Sequence, residues 1–353
     1  MDIGKIDKNM QISTTLNEKN IEWHNVREEI FDIYGLYNPR EEGPFKRLPR
    51  NIAEATSQGV LYLYRNTAGG RVRFCTDSNY IAIKCYSRYI RMWNMGFVGS
   101  SGFDLYIDGE GGSTYYGTFT IPIEFKDEYD AILYLPTGTK YVTINFPLYN
   151  DVNDLFIGVA EGSSIGHGKT YKYTTPVVYY GSSITQGGCA SRPGNAYQHV
   201  ITRMLDCDHI NLGFSGGGKA EQAMCDYIAD LDMSVFFMDY DHNAPNAEYL
   251  KNTHENLYLT VRKKHPDIPI IMTTKPDTAR DPEVPKRRAI IYDTYSKALE
   301  RGENVYFVDG GQAFGLEFRD SCTVDGCHPN DLGFIRMAQH FAPYVKAALE
   351  SIK

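Results

Sequence analysis

Residues 174–353 alternate between short apolar runs and longer segments in which apolar residues recur at helical spacing. In the segment Ala247–Lys264, for example, Leu250, Leu257 and Val261 fall on one helical face. The apolar runs have the length of buried strands and are residues 177–181, 208–214, 234–240, 268–273 and 304–308. Alternating strands and helices are typical of a parallel sheet with helices on both faces. The second half is therefore predicted to be a three-layer α/β/α domain.

The first half has a different pattern, in which short strand-like runs are separated by turn residues. The runs are residues 59–64, 80–85, 103–107 and 141–146, and the turns are residues 67–70, 108–112 and 136–139. Several short strands at this spacing favour a β-sandwich. We predict a jelly-roll-like, carbohydrate-binding-like sandwich over residues 1–165, a glycine- and serine-rich linker at 161–169, and the α/β domain at 174–353.

Charge and hydropathy exclude several classes of partner. The chain has 36 Lys and Arg against 44 Asp and Glu, a net charge of −8, and no basic block, so we expect no nucleic-acid partner. Asp2, Lys5, Asp7 and Lys8 lie where a signal peptide needs an apolar core, and no apolar run long enough to span a membrane follows. We expect no membrane association and a cytoplasmic location. The sequence leaves the oligomeric state open and is compatible with a homo-oligomer.

The seven cysteines form no C-x-x-C pair and have no spacing typical of a disulfide framework. Reduced thiols in a reducing compartment explain them most simply. Cys322, Cys327 and His328 are close enough in sequence to suggest a metal site, but a fourth ligand at a usual spacing is missing. We therefore predict no metal and no other cofactor.

Reactive residue types follow four of the predicted strands, in the segments GSSIT (181–185), GFSGGG (213–218), DHN (241–243) and DGCHP (325–329). In a parallel α/β sheet, ligands and catalytic groups collect at the carboxyl ends of the strands. A serine hydroxyl becomes a nucleophile when a histidine takes its proton, and an aspartate can orient that histidine. Glycine N–H groups and an asparagine amide can stabilise the resulting oxyanion. The four segments contain the parts that acyl transfer needs.

In this order, the four segments resemble the sequence blocks of the GDSL or SGNH hydrolases, over roughly residues 174–353. The resemblance implies a flavodoxin-like SGNH-hydrolase domain without a metal. By the same resemblance, Ser183 is the nucleophile, His328 is the general base and then acid, and Asp325 orients it. The implied oxyanion hole consists of the Ser183 and Gly216 backbone N–H groups and the Asn243 side-chain amide.

Two positions depart from the family pattern. Ser182 stands where the first block usually has Asp, and Asp241 stands where a glycine usually precedes the asparagine by two residues. Neither position carries the bond-making step, but both affect hydrogen bonding near the oxyanion hole. Each assignment also has a simpler alternative: Ser183 could only cap a helix, Asn243 could be an ordinary loop residue, and Gly216 could only give a turn its flexibility.

Two other classes of function compete with the esterase. Residues 213–220 nearly match the phosphate-binding pattern G-x-x-x-x-G-K-[ST], and residues 235–239 resemble an acidic strand that holds magnesium. That alternative fails at Ala220, where a hydroxyl is needed, and it leaves Ser183 without a role. The third hypothesis is a sugar-binding sandwich fused to a decayed hydrolase domain, although every catalytic position is filled.

Carbohydrate esterases with an N-terminal sandwich have a similar two-part layout. That resemblance implies removal of O-acetyl groups from oligosaccharides derived from mannan or xylan, with a general short-chain acyl esterase or lipase as the alternative. Trp93 and Trp23 are candidates to stack on a sugar ring, although a lone tryptophan in a sandwich is more often a core residue. Asp241 and His242 are further candidates for substrate contacts.

Overall fold

A computed structural model describes residues 14–276 and 281–352. Its first part contains two antiparallel sheets that share one apolar core. Their strands are β1 (Ile21–Asn25), β2 (Asp32–Tyr34), β3 (Arg71–Thr76), β4 (Tyr80–Tyr86), β5 (Asp104–Gly109), β6 (Gly112–Thr118), β7 (Glu128–Tyr134), β8 (Lys140–Asn145), β9 (Asp154–Ala160) and β10 (Ile165–His167). One sheet has the order β1-β9-β4-β7; the other has the order β10-β3-β8-β5-β6, with β2 also paired to β3.

Alternating burial explains why these strands pack face to face. In β9, Leu155, Ile157 and Val159 are all fully buried, and Ile81 and Ile83 of β4 are buried in the same way. Successive side chains of a strand point to opposite faces, so every second residue enters the shared core. The predicted N-terminal antiparallel domain is confirmed. Three short helices lie between its strands: α1 (Arg50–Thr56), α2 (Gln58–Leu63) and α3 (Phe97–Ser101).

The second part is a parallel sheet of β11 (Tyr173–Gly181), β12 (Cys207–Gly213), β13 (Val235–Asp239), β14 (Ile270–Thr273) and β15 (Val305–Val308). Its order, β12-β11-β13-β14-β15, is the flavodoxin-like order 2-1-3-4-5. The helices are α4 (Ser183–Gln186), α5 (Tyr197–Leu205), α6 (Gln222–Ala229), α7 (Ala247–Lys264), α8 (Val284–Glu300) and α9 (Asp331–Ser351). The predicted three-layer α/β/α domain is confirmed.

Both faces of the parallel sheet are apolar and covered by helices. Val177 and Tyr179 of β11 pack with α5 and α9, whereas Val178 and Tyr180 pack on the opposite face with α6, α7 and α8. A strand covered on both faces reads as a continuous apolar run, which is the pattern seen in the sequence. Because the strands are parallel, their carboxyl ends meet at one edge of the sheet, where sites of such domains lie.

Two predictions for the first half were wrong. Residues 59–64 lie mainly in helix α2, because Ser57 caps that helix by accepting from the Val60 N–H, and Val60 and Leu63 are buried one helical turn apart. This helix packs on the core of the α/β domain rather than in the sandwich. Part of the predicted linker is also a strand, since β10 pairs with β3.

Residues 1–20, whose charges oppose a signal peptide, lie largely outside the described residues. Within the described ranges, no helix is both long and apolar enough to cross a membrane.

Candidate active site

The two adjacent serines at the end of β11 have different surroundings. Ser182 is the N-cap of α4: its side chain accepts from the Ile184 N–H, while Thr185 Oγ1 accepts from the Ser182 N–H. This reciprocal capping box satisfies two donors that the start of a helix otherwise leaves unpaired. Ser183 is therefore the first residue of the helix, and its hydroxyl is left for another partner.

The turn from β11 into α4 requires glycine at the last residue of β11 and at the last residue of the neighbouring β12. A Cβ at Gly181 would stand 2.1 Å from Thr185 Oγ1, and a Cβ at Gly213 would stand 2.2 Å from a backbone nitrogen of α4. Thr185 and Tyr197 both donate to Asp239 Oδ2, at 2.9 and 2.8 Å. Burial raises the pKa of Asp239 to about 7. This buried network fixes the position of α4 above the sheet.

His328 lies between Ser183 and Asp325. Ser183 Oγ is 3.0 Å from His328 Nε2, although the two residues are 145 positions apart. His328 Nδ1 is 2.8 Å from Asp325 Oδ2, and Asp325 Oδ1 accepts from the His328 backbone N–H at 2.8 Å. The carboxylate favours the tautomer with a proton on Nδ1, which leaves Nε2 to accept the serine proton.

The charge of Asp325 is held by its hydrogen bonds. Burial alone would raise the pKa of Asp325, but donors from the His328 backbone, the Asn94 amide and the His328 ring hold that pKa well below its usual range. The carboxylate is therefore ionised at neutral pH. It can balance the positive charge that His328 acquires when it takes a proton.

Three hydrogen-bond donors lie at the ends of β11, β12 and β13. Within the described ranges, the backbone N–H groups of Ser183 and Gly216 have no acceptor. Gly216 has a φ of 66°, and a Cβ there would meet nothing within 4 Å. Asn243 Nδ2 donates to the Phe214 carbonyl at 2.9 Å and has a second N–H to offer. The three positions predicted for an oxyanion hole thus all carry an available donor.

Residues of the sandwich domain complete the surroundings of the serine. Asn94, between β4 and α3, donates its side-chain amide to Asp325 Oδ2 at 3.0 Å. Tyr149, buried after β8, donates its hydroxyl to the Ser183 carbonyl at 3.0 Å. Neither residue could be predicted from the sequence, because neither belongs to a motif. Only the tertiary fold brings them to the site.

A second set of contacts joins the sandwich to the segment between α4 and α5. Asp104 of β5 is fully buried and accepts from Arg192 Nη1 at 3.0 Å and from the Gly194 N–H at 2.9 Å. Tyr106 of the same strand also bonds to Arg192. A Cβ at Gly194 would stand 2.4 Å from the Tyr106 hydroxyl, so the strand and the segment are in close contact. The segment that leaves the serine helix is therefore held by the sandwich.

Two protein families match successive parts of the chain. Residues 174–346 match the GDSL-like lipase/acylhydrolase family. Residues 21–165 match a family described as the N-terminus of SGNH-hydrolase-type esterases and named GxDLY, a pattern present at Gly102–Tyr106. A solved protein of Bacteroides ovatus, named as a GDSL-like lipase, is 30% identical over 94% of this chain and 98% of its own, with a TM-score of 0.83. The chain belongs to the GDSL-like lipase/acylhydrolase family.

Other solved structures share the fold of this GDSL-family chain at lower identity. The salicylyl-acyltransferase SsfX3 from a tetracycline biosynthetic pathway is 18% identical over 94% of this chain and 98% of its own, with a TM-score of 0.76. The acetyl xylan esterase Est2A of the rumen bacterium Butyrivibrio proteoclasticus is 13% identical over 94% of this chain and 100% of its own, with a TM-score of 0.61. No curated protein matches the chain.

The sequence-based assignment of Asp241 to substrate binding needs correction. Asp241 is 3% exposed, and its two carboxylate oxygens are taken up by Arg287 Nη1 at 3.1 Å and the Lys275 N–H at 3.0 Å. The carboxylate sits in a buried ion pair and is not accessible to a substrate. In this GDSL-family chain Asp241 instead ties α8 to the end of β13.

His242 remains near the site, beside the loop that carries His328. Its Nε2 lies 3.0 Å from Cys327 Sγ, and its Nδ1 is buried with no partner among the described residues. Burial lowers the pKa of His242 to about 4, so the ring is neutral at pH 7. A neutral imidazole here can offer a hydrogen bond but no charge.

The two tryptophans differ sharply in exposure. Trp93 is 87% exposed and is the chain neighbour of Asn94. Trp23 lies in β1, and its ring covers Gly158 on the paired strand so closely that a Cβ added there would stand 3.0 Å from the ring. Trp93 therefore has a face available for stacking, whereas Trp23 packs on its own sheet.

The phosphate-loop alternative is not supported by the loop after β12. The N–H groups of Gly217 and Gly218 both donate to the Phe214 carbonyl, at 2.9 and 3.1 Å. A phosphate cradle needs such N–H groups to point at the ligand. The loop of this GDSL-family chain instead folds on itself.

Proposed function

We propose that this protein is a serine esterase that removes O-acetyl groups from oligosaccharides derived from plant polysaccharides of the mannan or xylan type. The observation that carries the proposal is the hydrogen-bonded series Ser183, His328 and Asp325, with distances of 3.0 and 2.8 Å. This arrangement activates a serine hydroxyl for attack on an ester carbonyl. Membership of the GDSL-like lipase/acylhydrolase family supports the cleavage of an acyl bond.

The first half of the proposed reaction forms an acetyl-enzyme. Ser183 Oγ attacks the acetyl carbonyl carbon while His328 Nε2 takes the serine proton. The oxyanion accepts hydrogen bonds from the Ser183 and Gly216 N–H groups and from the Asn243 amide. The bond to the sugar oxygen then breaks, and His328 gives its proton to that oxygen. The sugar leaves as an alcohol and the acetyl group stays on Ser183.

The second half releases acetate. His328 takes a proton from a water molecule, and the water oxygen attacks the acetyl carbonyl carbon. The same donors stabilise the second oxyanion, and the bond to Ser183 Oγ breaks as His328 returns the proton. Asp325 stays ionised throughout and stabilises the charged ring in both halves. The enzyme ends as it began.

Two observations support a sugar ester as the substrate. Trp93 is 87% exposed next to Asn94, which contacts the triad, and an exposed indole can stack on a pyranose ring. The fold is also that of solved carbohydrate esterases, among them the acetyl xylan esterase Est2A. A general short-chain acyl esterase is the alternative, because the same triad would act on any accessible acyl group.

The test is acetate release from acetylated mannan and xylan oligosaccharides, with Ser183→Ala and Ser182→Ala beside the wild type. Ser183→Ala should abolish release. Ser182→Ala is the matched control: it removes the helix cap next to Ser183 but no member of the triad, so it should keep most of the activity while losing about 1 kcal/mol of stability. Turnover of an aryl acetate without release from the oligosaccharides would favour the general esterase. Full activity of Ser183→Ala would overturn the proposal.

A further inference from the structure

A buried thiol next to the triad has no role in the proposed reaction. Cys189 lies just after α4 with a φ of 77°, in the left-handed region that residues other than glycine rarely adopt. The residue is 6% exposed, and its Sγ makes no hydrogen bond within the part of the chain that the structure describes. Unusual backbone conformations of this kind concentrate at functional sites. The thiol therefore needs an explanation.

Cys189 and two triad members place three metal-ligating atoms close together. The Cys189 sulfur, one carboxylate oxygen of Asp325 and one ring nitrogen of His328 lie within 4.8 Å of one another. Sulfur, nitrogen and oxygen donors of these residue types bind zinc at about 2.0–2.3 Å. Those bond lengths put the ligands of a tetrahedral ion about 3.5 Å apart, so side-chain shifts of about 1 Å bring all three to one ion.

The cysteines that the sequence places nearest to His328 do not form this group. Cys322 is fully buried, with its Sγ directed at the Phe318 carbonyl at 3.7 Å. Cys327 Sγ lies 3.0 Å from His242 Nε2. The candidate ligand set is instead assembled from the turn after α4 and the loop before α9.

We propose that Cys189, Asp325 and His328 bind a zinc ion that reversibly inhibits the enzyme. On binding, the thiol releases its proton to solvent, and the three ligands are a thiolate, a carboxylate and a neutral imidazole. Three protein ligands leave a fourth position for water. The ion occupies two members of the triad, so His328 can no longer take the proton of Ser183. The inhibition rests on the proposed esterase activity, whereas the binding does not.

The first experiment measures metal binding alone, with cobalt(II) as a coloured substitute for zinc. A cobalt–thiolate bond gives a charge-transfer absorption band in the near ultraviolet. The full-length wild type and Cys327→Ser should show the band, and Cys189→Ser should not. Cys189→Gly, which suits the positive φ, gives a second variant if serine disturbs folding. Absence of the band in the folded wild type overturns the proposal, whatever the esterase assays show.

The second experiment measures aryl acetate hydrolysis against zinc concentration, with reversal by a chelator. Cys189→Ser should keep the basal rate but need at least about tenfold more zinc for half inhibition, because changes to residues that only support metal ligands already cost about 10–100-fold in affinity. Cys327→Ser should respond to zinc like the wild type. Equal zinc sensitivity of Cys189→Ser and wild type overturns the proposal. So does a cobalt–thiolate band without inhibition, because the metal would then not involve His328.

Discussion

Asn94 Nδ2 donates a 3.0 Å hydrogen bond to Asp325 Oδ2, the same oxygen that lies 2.8 Å from His328 Nδ1. One carboxylate oxygen thus joins the sandwich domain to the histidine and, through it, to Ser183. The two bonded residues are 231 positions apart. The position of the sandwich therefore influences the orientation of the imidazole, and the sandwich is part of the candidate site rather than an appended module.

Asn94→Ala should lower kcat about tenfold while changing KM little. A hydrogen bond to a charged group contributes about 1.5–3 kcal/mol, and tenfold in rate corresponds to about 1.4 kcal/mol. The expected cause is a less well oriented Asp325 rather than weaker substrate binding. Steady-state hydrolysis of an aryl acetate measures both constants. Arg91→Ala, an exposed change in the same loop, is the control and should leave kcat unchanged. A normal kcat in folded Asn94→Ala would mean that the contacts within the loop that carries Asp325 are enough to position its carboxylate without Asn94.

Asp325→Asn should reduce kcat by about 10³–10⁴-fold with the fold intact, since an amide there favours the wrong imidazole tautomer. The loss should persist at every pH at which the protein is folded. The pKa of Asp325 is held well below its usual range, so the wild-type carboxylate stays charged across that interval. A pH profile of kcat for both proteins measures this. Substantial residual activity would show that another group orients His328.

Tyr149→Phe should cost about 1–2 kcal/mol of unfolding free energy, the usual contribution of the two neutral hydrogen bonds that its hydroxyl makes with the Ser183 carbonyl and with Ser215. The cost stays small because the Ser183 carbonyl also accepts from the Gly188 N–H at 2.8 Å. Urea unfolding measures the change. Tyr141→Phe, on the exposed face of β8, is the matched control and should have no effect. A loss well above about 2 kcal/mol for Tyr149→Phe would mean that the change disturbs the position of α4 and not only these hydrogen bonds.

Local sequence signals were enough for the α/β domain. The apolar run at residues 177–181 lies in β11, a strand covered on both faces, and the helical face of Leu250, Leu257 and Val261 lies in α7 (Ala247–Lys264), at the bounds read from the sequence. Residues 59–64 misled because a short apolar run fits a strand and a buried helix equally well. The capping contact at Ser57 decides between them.

The candidate site was predictable only where its residues lie in motifs. Ser183 directly follows β11, Asp325 and His328 lie in the loop before α9, and the fold brings these recognisable segments into hydrogen-bond range. Asn94 and Tyr149 were missed because their partners are 231 and 34 positions away and no local pattern marks them. Asp241 was misassigned because an exposed loop aspartate and a buried ion pair look alike in sequence.

Trp93→Ala should raise KM for an acetylated oligosaccharide and leave hydrolysis of a small aryl acetate unchanged. The reason is that a stacked sugar ring needs the exposed indole, whereas a small substrate reaches Ser183 without it. Initial rates with both substrates measure the difference. Trp23→Phe, on the sandwich sheet, should change neither KM for the oligosaccharide nor the rate of aryl acetate hydrolysis. Equal losses on both substrates would point to disturbed folding rather than to a sugar contact.

Asp239→Asn should change how stability depends on pH. The pKa of Asp239 is raised from 3.8 to about 7 by burial, so the folded state holds a proton that the unfolded state releases between these values. This contribution to stability is fully present below about pH 4 and is lost as the pH rises through about 7. The difference of roughly 3 pKa units corresponds to a decline on the order of 4 kcal/mol.

An asparagine at this position is neutral at every pH, and its oxygen can still accept from Thr185 and Tyr197. Unfolding free energies from urea titrations at several pH values should therefore decline less for Asp239→Asn than for the wild type between pH 4 and 7. Asp232→Asn, an exposed substitution, is the control and should keep the wild-type slope. Parallel slopes for Asp239→Asn and wild type would mean that Asp239 is ionised in the folded protein at neutral pH. The network beneath α4 would then hold a charge rather than a proton.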